Sequence, residues 1–377
     1  MADDLILDDP DALDAADPGG ALRATATSGA QIRTALSTLD HSELDRIAAE
    51  GRPRSLVITG MGGSGISADV CAAVAGTGAP IPVVPVRGYV LPGWVGPMDV
   101  VVGVSCSGST EETVAVVDEA GRRGARLVGI ASAGSPLEER VRSYGDSMFF
   151  AVDAQGRMPR LSLWTLATPV LMIASALGIA DVTPSGLNAT ADALDEWALA
   201  YGPNVALVDN PAKDLGLEFA ADLPMVWGTG EIGAAAAYRA VCQLAENAKL
   251  LAVHGVIPEA NHNQVVAFDG PLAGSEDLGD IFRDRVEEPD AQRRLRLVLM
   301  RDSEEHPQVA RRADASRALA ESRGIPVTVI NASGEAPLLR VASLLAIGDF
   351  ASVYAALSLG VDPTPIGPIN ELKDRIA

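Results

Sequence analysis

Hydroxyl side chains crowd one short stretch of the chain, Ser105-Cys106-Ser107-Gly108-Ser109-Thr110-Glu111-Glu112-Thr113. An apolar, β-branched run precedes it, Val100-Val101-Val102-Gly103-Val104, and a helix-like run from Thr113 to Gly121 follows. A buried parallel strand ending in a hydroxyl-rich turn that opens a helix has the geometry of an anion site. The first N–H groups of a helix have no partner inside it, and the helix dipole is positive there. Ser105, Ser107, Ser109 and Thr110 add hydroxyl donors, and Gly108 lets backbone approach an anion closely. The loop holds no lysine or arginine, so a phosphate there would rest on neutral donors. The same residues also read as a helix N-cap, with Ser109 or Thr110 capping and Glu111 or Glu112 near the start.

A second turn of this kind follows Ser55-Leu56-Val57-Ile58-Thr59. Gly60-Met61-Gly62-Gly63-Ser64-Gly65 matches the dinucleotide string G-x-G-x-x-G, which is weak evidence by itself. A dinucleotide site needs a carboxylate at the end of the second strand, where this chain offers Arg87. Further along, Arg239, Gln243 and Glu246 fall on one stripe of a helix read from about Ile232 to Ala252. Such a stripe is either a solvated face or the wall of a site. Glu246-Asn247-Ala248-Lys249 is followed by Pro258-Glu259-Ala260-Asn261-His262-Asn263, which puts His262 sixteen residues after Glu246. Glu259 with His262 is too small a set to hold a metal. His262 alone would also suit a structural histidine, and His41, His254 and His306 have no comparable context.

The elements that must position these residues alternate strand and helix. Strands are expected at Ser55–Thr59, Pro82–Tyr89, Val100–Val104, Arg126–Ala131 and Ser147–Val152. Right-handed crossovers then give a parallel sheet covered on both faces, with ligands outside the carboxyl ends of its strands. Gly63 and Ser64 on one turn and Ser105, Ser107 and Thr110 on the other lie at such ends. A second α/β unit follows, with strands at Met225–Gly230, Leu295–Met300 and Val327–Ile330 and a long apolar helix from Ala336 to Leu359. The expected fold class is α/β with two doubly wound domains, 21–200 and 201–377, behind an acidic and poorly anchored N-terminal arm, 1–20, in which Leu5-Ile6-Leu7 could still pack.

At 377 residues and 48% hydrophobic, the chain can bury two cores, and 4% aromatics makes them cores of Ala, Val, Leu and Ile. The net charge of −21 argues against nucleic acid and anionic membrane surfaces as partners. Apolar stretches are all shorter than the ~18 residues of a membrane span, and the acidic N-terminus is unlike a basic signal peptide, so a cytoplasmic protein is expected. Cys71, Cys106 and Cys242 are too few and too scattered for a disulfide framework or a zinc site.

Ser-x-Ser-Gly-x-Thr-Glu-Glu-Thr and Gly-x-Gly-Gly-Ser-Gly resemble the phosphosugar loops of the sugar isomerase (SIS) family. Pro159-Arg160, the Glu246–Lys249 and Pro258–Asn263 pair, and the closing Asp362-Pro363-Thr364-Pro365 with late Lys373 narrow the resemblance to the bifunctional phosphoglucose/phosphomannose isomerase branch. The resemblance runs along most of the chain. It implies aldose–ketose isomerisation of hexose 6-phosphates without a cofactor. Glu246 would be the base, His262 the ring opener supplied by the partner subunit of a homodimer, and Arg160 the support for the enediolate. Ser64, Ser105, Ser107, Thr110, Thr364 and Lys373 would face the sugar phosphate, with Gly63 giving backbone access. Lys373 also suits an ordinary helix C-terminus. Departures from the family pattern are Ala245 and Gln264, where many members read Asn and Glu, Val241 in place of a lysine, and Leu161-Ser162 after Pro-Arg. They leave open a non-catalytic sugar-phosphate sensor, and Gly60–Gly65 leaves a nicotinamide enzyme as a third reading.

Overall fold

The computed structural model describes residues 3–273 and 294–376. The chain divides into two α/β units: 26–196 with 336–339, and 1–25 with 197–335 and 340–377. They are called here the first and second domain.

Short, mostly apolar runs make the first domain's strands: β1 Leu56–Thr59, β2 Val83–Val86, β3 Val100–Ser105, β4 Arg126–Ala131 and β5 Met148–Ala151. All pair in parallel, in the order β2-β1-β3-β4-β5. β3 sits at the centre and is buried at every position, which is why its sequence is apolar without alternation. The order reverses between β1 and β3, so the crevice at their carboxyl ends is the topological switch point. Ser105 ends β3 and the glycine turn follows β1, so the topology brings the two loops to that one crevice. Helix Leu163–Ala176, nearly all apolar, is buried against the sheet, and Asp40 caps His41–Ala49 by accepting from the N–H groups of Ser42 and Glu43.

The second domain's sheet is also parallel: β6 Leu223–Thr229, β7 Val253–Ile257, β8 Leu295–Arg301 and β9 Val327–Asn331, in the order β7-β6-β8-β9. β7 corrects the sequence reading, which carried the preceding helix through Ala252. The α-helix Gly230–Gln243 is followed by a π-helical turn, Leu244–Ala248, and Lys249 then adopts a left-handed conformation that ends the helix. Helix Pro337–Ser358 has the length and hydropathy to cross a membrane, and its apolar window is wholly buried.

The N-terminal arm is also corrected. It folds into a 3-10 turn, Leu5–Asp8, and a helix, Pro10–Ala16, and packs within the second domain. Leu7 and Leu13 are fully buried. Buried Lys213 donates to the carbonyl of Leu7 at 2.5 Å and to those of Pro203 and Val205 at 2.9 and 2.6 Å. A buried ammonium needs such partners, and burial pushes its pKa below the usual lysine value.

Candidate active site

The first domain assembles three of the predicted segments around its switch point. Ser64, in the first turn of helix Gly62–Ala75, accepts through Oγ from the N–H of Cys106 at 3.2 Å. That bond ties the glycine turn to the hydroxyl loop. Ser105 is fully buried. Its Oγ accepts from the N–H of Gly108 at 3.0 Å and lies 2.8 Å from Thr110 Oγ1. Ser107 Oγ accepts from the N–H of Ser109 at 3.3 Å and lies 3.0 Å from Ser109 Oγ. Gly108, at φ 68°, makes the reversal that closes the loop.

Thr110 stands at the N-cap of helix Glu111–Arg122, yet its side chain makes no capping bond and turns to Ser105 instead. The helix Gly62–Ala75 likewise starts without a side-chain cap. Two helix starts at one crevice therefore keep first-turn N–H groups uncapped by side chains, which favours the anion-site reading of the hydroxyl loop over the capping one.

Arg160 belongs to the same domain. It lies in the 3-10 turn Pro159–Leu161, 2% exposed, with Nη1 2.9 Å from the Met158 sulfur. A Cβ on Gly63 would stand 2.6 Å from the Arg160 nitrogen and 2.6 Å from the Pro159 carbonyl carbon. Only glycine lets the Pro-Arg turn seat against the helix start, so Gly63 and Arg160 are coupled through backbone contact. Arg157 is a residue the sequence reading passed over. Burial raises the Cys106 thiol above its ordinary pKa, while the Arg157 charge pulls it down and the Asp153 carboxylate pushes it up. The loop itself lacks a cation, and Arg157 comes into electrostatic range together with Asp153. Its signal was its place three residues before Arg160. Arg87, at the foot of the first-domain turn, pairs with Asp69 and donates to the carbonyl of Gly65 at 3.3 Å. It braces the turn where a dinucleotide site would have a carboxylate.

The second domain holds Glu246, His262, Thr364 and Lys373. Glu246 is half-buried in the π-helical turn. The polar stripe leading to it is no solvated face, since Arg239 and Gln243 are 3% and 1% exposed. Arg239 forms a two-point pair with Asp349, Nε–Oδ1 2.7 Å and Nη2–Oδ2 2.8 Å, and Gln243 Nε2 donates to Asp349 Oδ1 at 3.1 Å. Asn247 Nδ2 donates to Ser352 Oγ at 2.9 Å. Asp349 and Ser352 lie on helix Pro337–Ser358, so a buried polar seam fixes the Glu246 turn against that helix. The sequence reading missed Asp349 because a single carboxylate in a long apolar run gives no sign of its partner.

His262 ends the 3-10 turn Glu259–His262 and is exposed. The turn is braced by Asn263 Nδ2 donating to Glu259 Oε1 at 2.8 Å and by Asn261 Nδ2 donating to Ser316 Oγ at 2.6 Å. Gln264, a departure from the family pattern, accepts from Trp227 Nε1 at 2.7 Å and donates to the His254 carbonyl at 2.8 Å. It joins β6 to β7 beneath the His262 turn, and a glutamate could accept the first bond without donating the second. Thr364 is half-buried, with its N–H donated to Asp362 Oδ1 at 2.8 Å. Lys373 lies exposed in the last turn of helix Gly367–Ile376, where a cation complements the helix dipole.

Residues 208–376 match the family model of the bacterial phospho-glucose isomerase C-terminal SIS domain. A bifunctional phosphoglucose/phosphomannose isomerase of Caldicellulosiruptor bescii is 30% identical over 324 residues, 85% of this chain and 89% of that protein. One from Aquifex aeolicus is 27% identical, over 89% of this chain and 94% of its own. Among solved structures, the C-terminal domain of glucosamine-fructose-6-phosphate aminotransferase from Francisella tularensis superposes with a TM-score of 0.66 at 11% identity, over 91% of this chain and 97% of that one. A hypothetical protein of Thermus thermophilus superposes at 0.65 with 16% identity, over 95% of this chain and 90% of its own. Likeness at that identity speaks to the two-domain fold alone.

Proposed function

Because the chain belongs to the bifunctional phosphoglucose/phosphomannose isomerase family of SIS proteins, we propose that it interconverts glucose 6-phosphate, mannose 6-phosphate and fructose 6-phosphate through a cis-enediolate. It is a phosphosugar isomerase, and likeness spread along nearly the whole chain to relatives named for that activity carries the reading.

The roles follow from what each group can do. A sugar 6-phosphate is anionic on a chain of net charge −21, so it needs a local set of donors. The hydroxyls of Ser64, Ser107 and Thr110, with the uncapped helix N–H groups, are such a set. In the open-chain sugar, Glu246 takes the proton from C2 as the C1 carbonyl becomes an enediolate oxygen. It returns that proton to C1 as the C2 hydroxyl gives its own proton to the C1 oxygen and becomes the ketone. One carboxylate serves both carbons because they share one face of the planar intermediate. Arg160 keeps its proton throughout and so can offset charge growing on the enediolate oxygens. His262 opens the ring, since an imidazole can both give and take a proton, and it acts on the sugar held by the partner subunit of a homodimer. Use of both aldoses follows if protonation at C2 can occur from either face.

The polar seam behind Glu246 and the bridging role of Gln264 weigh against a non-catalytic sensor, because one departure, Gln264, itself braces the framework and the seam holds on either side of another, Ala245. Coupled assays with glucose and mannose 6-phosphates, run on the parent and on Glu246→Gln, test the proposal. Turnover of at least one aldose, lost in Glu246→Gln with binding of the sugar phosphate kept, is the expected result. Binding without turnover in the parent would turn the reading toward the sensor.

A further inference from the structure

The helix carrying the proposed base ends in an unusual way. Glu246 lies in a single π-helical turn, Leu244–Ala248, and such turns concentrate at functional positions. Lys249 closes it at φ 57° and ψ 29°. That conformation suits glycine or asparagine and strains other side chains, so a lysine here is held for its side chain rather than its backbone.

The ammonium turns back on the helix end. Lys249 Nζ donates to the carbonyls of Glu246 at 2.9 Å and Asn247 at 3.1 Å. It also reaches the carbonyls of Asp362 at 3.2 Å and Pro363 at 3.1 Å. An ammonium has three N–H groups, so four carbonyls share them. Two belong to the turn that carries Glu246, and two to the segment that leads into Thr364. That segment is pinned on its other side as well. Gly19 of the N-terminal arm packs so closely that a Cβ there would stand 1.8 Å from Thr364 Oγ1.

We propose that Lys249 is a positioning residue for the isomerisation, a cationic clamp that fixes the Glu246 turn against the Asp362–Thr364 segment. The base and the sugar-facing threonine then keep one spacing while the proton moves from C2 to C1. This rests on the reading of Glu246 as base. Among the described residues the clamp's four bonds go to backbone carbonyls, so Lys249 is read as acting through Glu246 and Thr364.

Lys249→Gly separates the clamp from stability, because glycine relieves the left-handed backbone while removing the ammonium. The expected result is a thermal midpoint at or above that of the parent with kcat lower by about 10–100-fold for each aldose used, as for a base misplaced by a fraction of an ångström. The KM should change by less than about threefold. With substrate deuterated at C2, the product should keep less label at C1 per turnover, since a loosely held carboxylic acid exchanges with water before it returns the proton. Lys249→Arg, which keeps the charge, should recover part of kcat and of the retained label. Lys249→Met is measured alongside, so that a folding loss in one variant leaves the other to decide. Parent-like kcat and label retention in a folded Lys249→Gly or Lys249→Met, with Glu246→Gln inactive, would overturn the clamp alone. Full activity in Glu246→Gln would instead overturn the reading beneath it.

Discussion

The two domains open their first strand-to-helix turn on the same glycine spacing and set different chemistry behind it. In the first, Gly60, Gly62 and Gly65 follow β1; in the second, Gly228, Gly230 and Gly233 close β6 and open the next helix. Gly62 and Gly230 both have positive φ, 51° and 61°. A Cβ on Gly65 would stand 2.7 Å from the Gly60 oxygen, and one on Gly233 would stand 2.3 Å from the Met300 oxygen. Even the cross-tie repeats. Ser64 Oγ accepts from the N–H of Cys106 in one, and Thr229 Oγ1 from the N–H of Asp302 at 2.9 Å in the other. The remaining residues differ. Gly63-Ser64 in the first turn stands where the second has Glu231-Ile232, and Cys106-Ser107 where it has Asp302-Ser303-Glu304-Glu305. The second crevice is thus lined by carboxylates, of which Asp302 and Glu304 pair with Arg340 at 2.7 and 3.1 Å. Glycines shape the turn, and the residues between them decide whether an anion can rest there. On the proposed reading, binding of the sugar phosphate falls to the first domain and the proton transfer to Glu246 in the second.

That division can be broken most sharply at Glu246. Glu246→Gln should lower kcat by about 10²–10⁴-fold, the usual worth of general base catalysis, and leave KM within a few-fold. Steady-state kinetics decides, and a large rise in KM with kcat preserved would move binding into the second domain. Next in size is the seam. Asp349→Ala removes the two-point partner of buried Arg239, and losing one partner of a buried pair costs about 3–5 kcal/mol. Urea denaturation should show that loss; a variant of parental stability with lost activity would make Asp349 part of the chemistry instead. Smaller again is Ser107→Ala in the first domain. It should raise KM about tenfold, or ~1.4 kcal/mol, with kcat unchanged, as expected when uniform binding is removed. A fall in kcat at constant KM would contradict the division.

The sequence carried these two domains unequally. Buried parallel strands announce themselves as β-branched runs, so β1, β3 and β4 and the loops at their ends were legible, Ser105 to Thr113 most of all. What escaped depends on partners far along the chain. Arg239 and Gln243 look like a solvated stripe until Asp349, 110 residues from Arg239, is seen to meet them inside a helix that reads as apolar. β7 was hidden because Leu250-Leu251-Ala252 extends the helical pattern, and only the left-handed backbone of Lys249 breaks it. The N-terminal arm looked unanchored because its acidic residues mask two buried leucines, and because the lysine that ties it down lies at 213. Short-range pattern fixed the elements of the phosphate loop, whereas the framework behind the base is a tertiary fact.

The smallest expected effect belongs to His254, one residue into β7 under the Gln264 bridge. Its ring lies edge-on to Tyr238, with centroids 5.5 Å apart, and its Nε2 is buried without a hydrogen-bond partner. Burial holds its pKa below the ordinary value of 6.5, against a smaller upward pull from a hydrogen bond to the Ala234 backbone. The neutral ring is therefore the form the fold prefers, while the unfolded chain takes up a proton near pH 6.5. The stabilisation is fully present above that pH and falls away as pH drops toward the folded-state value. The slope stays below ~1.4 kcal/mol per pH unit, the limit for one proton. Between pH 7.5 and about 5, the stability of the parent relative to His254→Phe should fall as pH drops, since the variant keeps an aromatic edge for Tyr238 but has nothing to titrate. Melting curves of the two proteins measure that difference. A constant difference across that window would mean that the imidazole finds a partner when charged, and that the second domain's edge strand is open to water where its sheet meets the Gln264 bridge.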